Sequence, residues 1–540
     1  MIRAARRLDL ASEVLLFVLV VGTPLAFGAV EVWATEAMKW GIALFVLLRV
    51  CRAVVHHRSG FPWPRLSGTG LALPAALFVG VILLQATPLP RTALRLLSPS
   101  ADALYGRTLP GWPAGENLAE VESYLLGAPS KPLAIAGDGT RAPAARRWRT
   151  LSIYPYGTRE RFALLGAYLL LFFAAIDFAR SPRRRMRLLM GVTLSGFLIA
   201  AFGLVQKMTW NGKIFWIRKA PANTIPFGPF INPDHFAGYM ELVLPVSVGL
   251  LLMVWRVRRS PSLPEDVVVE RGVGSIAFPR LEKETHQLFS GWGDEAISKT
   301  AVVSCALAMA VTAILVSRSV GALFATGLTF ALFGALLVPL RHRRKVAFGG
   351  TCVLVGGVLA ALLGWWGMGP LAEPLRRVTD VGSAPSFAMR WMTWVRVGDM
   401  IADFPLFGTG LGSFGLAYAR YYPAGVYGLW THAHNDWLQL VAETGLAGTA
   451  AFLGGLAGYG RRIFLPALAR GGDQELRLGV AMALVSMALH SFVDFNLQIP
   501  SNGLLTVLLG AVLAAAVIRR GEEESPLDPA SGADPLGEGM

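Results

Sequence analysis

The sequence predicts an all-α, polytopic membrane protein with about twelve transmembrane helices, and three observations carry that prediction. Hydrophobic residues make up 54% of the 540, and the mean hydropathy is +0.50. Charged residues are only 16%, against roughly 25% in a typical soluble domain. The apolar residues also gather into long runs, each near the roughly 20 residues that cross a bilayer as a helix. These figures exclude a soluble globular domain and a disordered chain. The 59 glycines show no triplet period, and three cysteines are too few for a secreted disulfide scaffold.

The runs lie at about 13–30, 37–55, 69–86, 161–178, 186–207, 236–255, 300–316, 320–340, 346–366, 436–458, 478–497 and 501–518. The first begins near Val14 and continues past Glu31 into the second without a small-residue cleavage site. It is expected to be a spanning helix rather than a signal peptide. Cys51, Cys305 and Cys352 lie in or beside apolar segments without metal-ligand spacing, so they are expected to be small core residues.

The net charge of +15 would suggest nucleic acid in a soluble protein. Here it follows from the retention of Lys and Arg in cytoplasmic loops, and no nucleic-acid partner is expected. With the N-terminus inside, seven basic clusters all fall in the cytoplasm: Arg3-Arg6-Arg7, Arg52-Arg58, Arg183-Arg184-Arg185-Arg187, Arg256-Arg258-Arg259, Arg341-Arg343-Arg344-Lys345, Arg461-Arg462 and Arg519-Arg520. Reversal would put all seven outside. Both termini are therefore expected to be cytoplasmic. Four segments then face outward: about 87–160, about 208–235, the tight turn around Arg318, and about 367–435. The cytoplasmic stretches 257–299 and 521–540 are polar and aperiodic, and read as flexible connectors. The organisation is one membrane domain, 1–520, followed by a flexible tail, 521–540. No inverted halves of the kind common in transporters are visible.

The unusual residues collect in the outer segments. From Arg390 to about Phe404 the apolar residues recur at helical spacing, which predicts an amphipathic helix at the membrane surface. Gly408-x-Gly410-x-Gly412 follows; without a parallel-sheet context it reads more readily as a turn than as a phosphate cradle. A polar stretch from Thr431 then runs through His432, His434, Asn435 and Asp436 directly into an apolar run that contains Glu443, Gly445 and Gly448.

His434-Asn435, nine residues, then Gly445-x-x-Gly448 resembles the H-[NSQ]-x9-G-x-x-G signature of the bacterial O-antigen ligase and polymerase family. Other elements occur in the family's order. Phe230-Ile231-Asn232-Pro233-Asp234-His235-Phe236-Ala237-Gly238 resembles its N-x-N-x-F-A-G element, departing at Asp234. Ser317-Arg318-Ser319 resembles its outer-turn arginine, Arg390-x-x-x-Trp394 through Gly410-x-Gly412 the segment before the histidine, and His490-Ser491-Phe492-Val493-Asp494-Phe495 its H-S-x-x-D-F. The resemblance covers about residues 150–515. It implies a GT-C-like glycosyltransferase bundle in the bacterial inner membrane, with its site on the periplasmic side. The donor it implies is an undecaprenyl-diphosphate-linked glycan. Lipid A-core, another lipid-linked glycan or a protein would be the acceptor, and no cofactor or nucleotide sugar is needed.

In such chemistry an acceptor hydroxyl attacks the anomeric carbon while diphosphate departs. The departing charge needs a metal or fixed cations, and the hydroxyl benefits from a base. No outer segment offers a compact carboxylate cluster for Mg²⁺, so no metal site is expected and arginine is the available substitute. Arg318 and Arg390 are the candidates, with interfacial snorkelling as the plainer alternative for each. His434 is the candidate base; orienting the acceptor, donating to the diphosphate, or capping the next helix are its alternatives. Asn435 and Asp436 are candidate N-caps. Asn232, Asp234, His235, Asn435, Glu443 and Trp394 are assigned to the substrate side, with a structural polar network or support of His434 as the alternatives for Glu443, and the start of the sixth helix on its polar side as the alternative for His235. His490 and Asp494, four apart, are expected on one helical face in a structural polar network. Arg146, Arg147, Arg149, Trp112 and Trp148 can contact glycan or headgroups, or anchor at the interface as aromatic residues do. A transporter or flippase of lipid-linked sugar is the competing reading, with a non-enzymatic scaffold for glycan assembly as a third.

Overall fold

The computed structural model describes residues 2–60, 68–109, 148–221, 224–259, 293–337, 385–422 and 430–524, which are mostly helical. The main helices are α1 (Ile2–Leu25), α2 (Val32–Arg58), α3 (Ala72–Ala86), α4 (Arg91–Leu97), α5 (Pro99–Thr108), α6 (Pro155–Ala179), α7 (Pro182–Met208), α8 (Pro233–Arg259), α9 (Gly293–Ser317), α10 (Val320–Leu337), α11 (Pro385–Asp403), α12 (Phe414–Tyr418), α13 (Asp436–Tyr459), α14 (Gln474–His490) and α15 (Pro500–Glu524). Two short antiparallel ribbons accompany them: β1 (Leu89–Pro90) with β2 (Trp148–Arg149), and β3 (Lys213–Ile214) with β4 (Arg218–Lys219).

Among the described residues six segments are long and apolar enough to cross a membrane: α1, α6, α7, α8, α15 and the stretch Asp436–Ala467 that begins with α13. The chain is a multi-pass membrane protein. The other expected runs fall on α2, α3, α9, α10 and α14, and the run at 346–366 lies outside the described residues. α2 is long enough to span but carries Glu36, Lys39, Arg49 and Arg52.

Several expectations need correction. α14 stops at His490, so Asp494 lies in the turn beyond it rather than on the same helical face. α8 reaches Arg259 and α9 starts at Gly293, which leaves only 260–292 of the expected connector outside the described residues. α15 continues to Glu524, into the expected tail. Cys51 and Cys305 are exposed on their helices, because a small apolar thiol suits a lipid-facing surface as well as a core; Cys352 is not among the described residues. Neither are Trp112, Arg146 and Arg147.

The described chain forms two compact units. The first comprises 1–69, 166–384 and 459–540, the second 70–165 and 385–458. In the first, α8 packs on α7, α9, α14 and α15, and the residues from His235 to Leu250 are all buried. α8 and α14 approach closely through paired glycines. A Cβ on Gly249 would lie 2.6 Å from the Glu475 carbonyl oxygen, and one on Gly479 2.6 Å from that of Pro245. Small residues permit such contacts between membrane helices, where packing replaces the hydrophobic drive.

Several basic residues of this unit are paired rather than merely solvated. Arg49 bonds Asp9 and Asp177, Arg184 meets Asp9 at 2.8 Å, and Arg187 holds both oxygens of Glu13 at 2.5 and 2.7 Å. In the turn ahead of α14, Asp473 accepts from Arg185 and Arg477, each at 2.9 Å. Burial alone would raise the Asp473 pKa, but the two guanidinium groups outweigh it and hold the carboxyl below its ordinary range.

In the second unit α3 packs against α13 through Phe78, Ile82 and Ala451. α4 and α5 cover Leu151 and Phe404 with Leu94, Ala101 and Tyr105, so the expected outer loop 87–160 contains built structure. α11 and α12 close over Ala433 and Ala442 through Val397, Met400, Phe414 and Tyr418.

Replacing Asp473 by Asn should destabilise the first unit by about 3 kcal/mol, the scale of breaking one side of a buried ion cluster. The check is thermal unfolding of the solubilised protein at neutral pH. Because the folded pKa is lowered, the wild-type advantage is complete above the unfolded carboxyl value of about 4 and should vanish as the pH falls through the folded one.

Candidate functional site

α13 is where polar sequence enters a span, and its backbone is broken once. Gly445 adopts φ 62° and ψ −169°, a region essentially restricted to glycine. A Cβ there would lie 2.5 Å from the Leu406 carbonyl and the Gly408 nitrogen. The break frees backbone groups that lipid cannot satisfy, and the loop after α11 satisfies them. Thr409 N–H donates to the Ala442 carbonyl at 3.0 Å and Gly410 N–H to that of Glu443 at 2.9 Å. In return Leu446 and Ala447 donate to Pro405 and Leu406 at 2.8 and 3.0 Å.

The Gly408-x-Gly410-x-Gly412 segment is the turn the sequence suggested, with φ of 66°, 109° and 77°. Its three glycine N–H groups are all used inside the protein. Gly408 donates to the Phe404 carbonyl at 3.1 Å, Gly410 to that of Glu443, and Gly412 to the Glu443 carboxylate at 2.8 Å. None is directed outward to cradle a phosphate.

Glu443, buried in α13, is thereby a brace. Its Oε2 accepts from Gly412, and its Oε1 accepts from Phe414 N–H at 3.0 Å and Gln439 Nε2 at 3.2 Å. Gln439, one turn earlier, accepts the Ala433 N–H at 3.1 Å on Oε1 and lies 3.3 Å from His432 Nδ1 through Nε2. With its oxygen occupied by Ala433, the amide can only donate to His432, which places that imidazole's proton on Nε2. The sequence reading missed Gln439. Its signal was a second polar residue four positions before Glu443 in an apolar run, on the same helical face.

Ala433 is held from both ends, since its carbonyl accepts from Trp394 Nε1 at 3.0 Å. Trp394 sits on α11 four residues after Arg390, one turn along the same face. The next residue, His434, takes φ 49°, an uncommon conformation outside glycine that marks functional or strained positions. Its ring stands edge-on to Trp430 at 5.3 Å and is half-buried. Asn435 is the N-cap, with Oδ1 accepting Leu438 N–H at 3.0 Å, and Asp436 is the first residue of the helix. His434, Asn435, Glu443, Trp394 and Arg390 thus belong to one unit. Nearby, Tyr421 donates to Asp403 at 2.7 Å, and burial together with that carboxylate pushes its pKa upward.

Arg318, Asn232, Asp234, His235, His490 and Asp494 belong to the other unit. Arg318 occupies the α9–α10 turn at φ 62° and is exposed, between the buried Ser317 and Ser319. Ser319 Oγ accepts Ala322 N–H at 3.3 Å and so opens α10. Asn232 Oδ1 accepts Asp234 N–H at 2.9 Å, starting α8. The His235 ring stands 4.6 Å from Phe495, and its carbonyl accepts from Asn502 at 2.9 Å. His490 Nδ1 meets Glu241 Oε1 at 3.0 Å, while Asp494 accepts Phe495 N–H at 2.9 Å. Glu241, unremarked in the sequence, had its own signal as a carboxylate inside a span. Among the described residues no group of three or more His, Cys, Asp or Glu could hold a metal ion.

Gly445→Ala should disable the second unit, lowering the yield of folded protein and its unfolding temperature, because the Cβ has only rigid backbone to displace. Gly454→Ala on the same helix, with nothing within 4 Å, should leave both unchanged. Circular dichroism melting of the two variants side by side checks this.

Residues 305–453 match the family model described as O-antigen ligase. No curated protein matches the chain. The matched span contains Arg318, Arg390, His434, Glu443 and Gly445, so the helix break and the loop bound to it lie within the family's domain. Over residues 305–453 the chain is therefore similar to the O-antigen ligase family.

Proposed function

We propose that the protein transfers a glycan from an undecaprenyl-diphosphate carrier to an acceptor hydroxyl, at the periplasmic face of the bacterial cytoplasmic membrane. The acceptor is lipid A-core in a ligase, or a second lipid-linked glycan in a polymerase. The observation that carries this reading is the placement of His434. It sits half-buried in a left-handed conformation, immediately after a residue pinned at both its N–H and its carbonyl, within an O-antigen ligase domain. Such fixation is what a general base requires, because proton transfer depends on geometry before pKa.

The acceptor oxygen forms a bond to the anomeric carbon as the bond from that carbon to the diphosphate oxygen breaks. The electron pair leaves with undecaprenyl diphosphate, and the hydroxyl proton passes to His434. Arg390, in the unit that holds His434, is the cation proposed for the departing diphosphate, with Arg318 the second candidate from the sequence pattern, and the fixed charge of a guanidinium takes the place a metal would otherwise fill. Asn232, Asp234 and His235 remain substrate-side candidates from the sequence pattern alone. Glu443 and Asn435 serve it through the backbone they hold.

The test uses purified protein, labelled lipid-linked glycan and each acceptor class, with and without chelator. A covalent product that forms equally with chelator is expected. Its absence with every acceptor would overturn the enzyme reading, and chelator-sensitive turnover would overturn the arginine one. His434→Ala should lose about 10²–10⁴ in turnover, the usual worth of a general base, with unchanged abundance. Arg318→Lys and Arg390→Lys keep charge but lose the fork. Each should fall by on the order of a hundredfold, and wild-type turnover in either would remove that residue from the diphosphate.

A further inference from the structure

The loop and helix break that hold His434 are bound by a side chain from far outside the family domain. Gln85 lies at the end of α3 in the same unit, fully buried. Its Nε2 donates to two carbonyls, that of Phe407 in the loop at 2.6 Å and that of Glu443 at the break at 2.8 Å. Its Oε1 accepts Leu411 N–H at 3.1 Å. The partners fix which way the amide points, since two carbonyls can face only its nitrogen and an N–H only its oxygen. Both hydrogens of Nε2 are used.

From this geometry we infer that Gln85 is a positioning residue for the proposed transfer. It clasps the 407–411 loop to the broken helix and so keeps Glu443, Gln439 and Ala433 in the register that sets His434. The path is continuous. Gln85 holds Phe407, Leu411 and the Glu443 carbonyl; Glu443 holds Gly412, Phe414 and Gln439; Gln439 holds Ala433. A leucine or methionine at position 85 would fill the space but leave the Phe407 carbonyl and the Leu411 N–H buried without partners and the Glu443 carbonyl with Gly410 alone, a condition the chain relieves by moving the loop. Residues Gly445 and Gly408 shape the break, yet neither spans it with a side chain. Gln85 does, and it lies 220 residues before the start of the matched domain at residue 305.

This inference rests on the proposed function for its catalytic half and on hydrogen bonding alone for its structural half, so two measurements separate them. The first is amide hydrogen exchange, read by mass spectrometry on peptides covering 405–416 in the full-length, solubilised protein. The second is steady-state transfer, with kcat and donor KM determined separately. Gln85→Met should raise exchange at 405–416 by at least about tenfold while peptides of α8 and α15 stay at wild-type protection. Its kcat should fall by on the order of ten- to a hundredfold, the scale of small misplacements at a reacting centre, with donor KM within about twofold. Gln85→Glu keeps the acceptor for Leu411 and loses the donors, so it tests the clasp if the methionine variant does not fold. It should show the same direction of change in exchange and in kcat.

Unchanged exchange at 405–416 in a folded variant would overturn the clasp. Raised exchange with wild-type kcat would overturn its link to His434, as would a loss confined to KM. If the wild-type protein itself forms no product, the proposed function falls, and the exchange measurement still decides whether Gln85 holds the loop.

Discussion

A helix that enters a bilayer cannot be interrupted without cost, because the backbone groups released by the interruption find no water. The break at Gly445 is the constraint on which the second unit is built. Its released carbonyls at Ala442 and Glu443 take N–H groups from Thr409 and Gly410, and its following N–H groups go to Pro405 and Leu406. The loop after α11 is thus tied to α13 from both sides of one glycine. The backbone of that loop then supplies the donors for the Glu443 carboxylate, so satisfying the break also fixes the side chain that braces the histidine-bearing segment.

This dependence gives the motif a physical meaning. The nine residues between His434-Asn435 and Gly445 are two and a half helical turns, which set the distance from the N-cap at Asn435 to the break. Gln439 and Glu443 fall on the face of those turns that meets the loop. The glycines of the 408–412 turn admit close backbone contact, and their N–H groups face inward. The same composition that in another context would cradle phosphate is here spent on a helix.

The first unit shows a different use of charge. Arg49, Arg184, Arg185 and Arg187 serve as ion-pair partners for Asp9, Glu13, Asp177 and Asp473. The residues that would orient the chain in a membrane therefore also join the ends of its helices. The buried contact of Glu241 with His490 joins α8 to α14 in the same manner within the span, where partners are costly to lose.

The sequence by itself determined membrane residence, the helical class, the likeness of residues 305–453 to the O-antigen ligase family, and the turn at Arg318, because apolar run length and glycine spacing are local properties of the chain. It also offered Asn435 and Asp436 as N-caps, of which the structure uses Asn435, and placed the helix from Arg390 toward Phe404, since both follow from short-range patterns. It overran the end of α14: the apolar composition continues past His490, while the helix stops where buried polar residues Ser491, Asp494 and Asn496 compete for the backbone. Only the tertiary structure decided that Glu443 braces a loop and that Gln439 links it to Ala433. It alone showed that Glu241 answers His490 and that Gln85 reaches across the break. Each of these depends on hydrogen bonds between segments that are distant in sequence or whose relative turn is set by packing, and no periodicity within one segment records which partner another segment will bring.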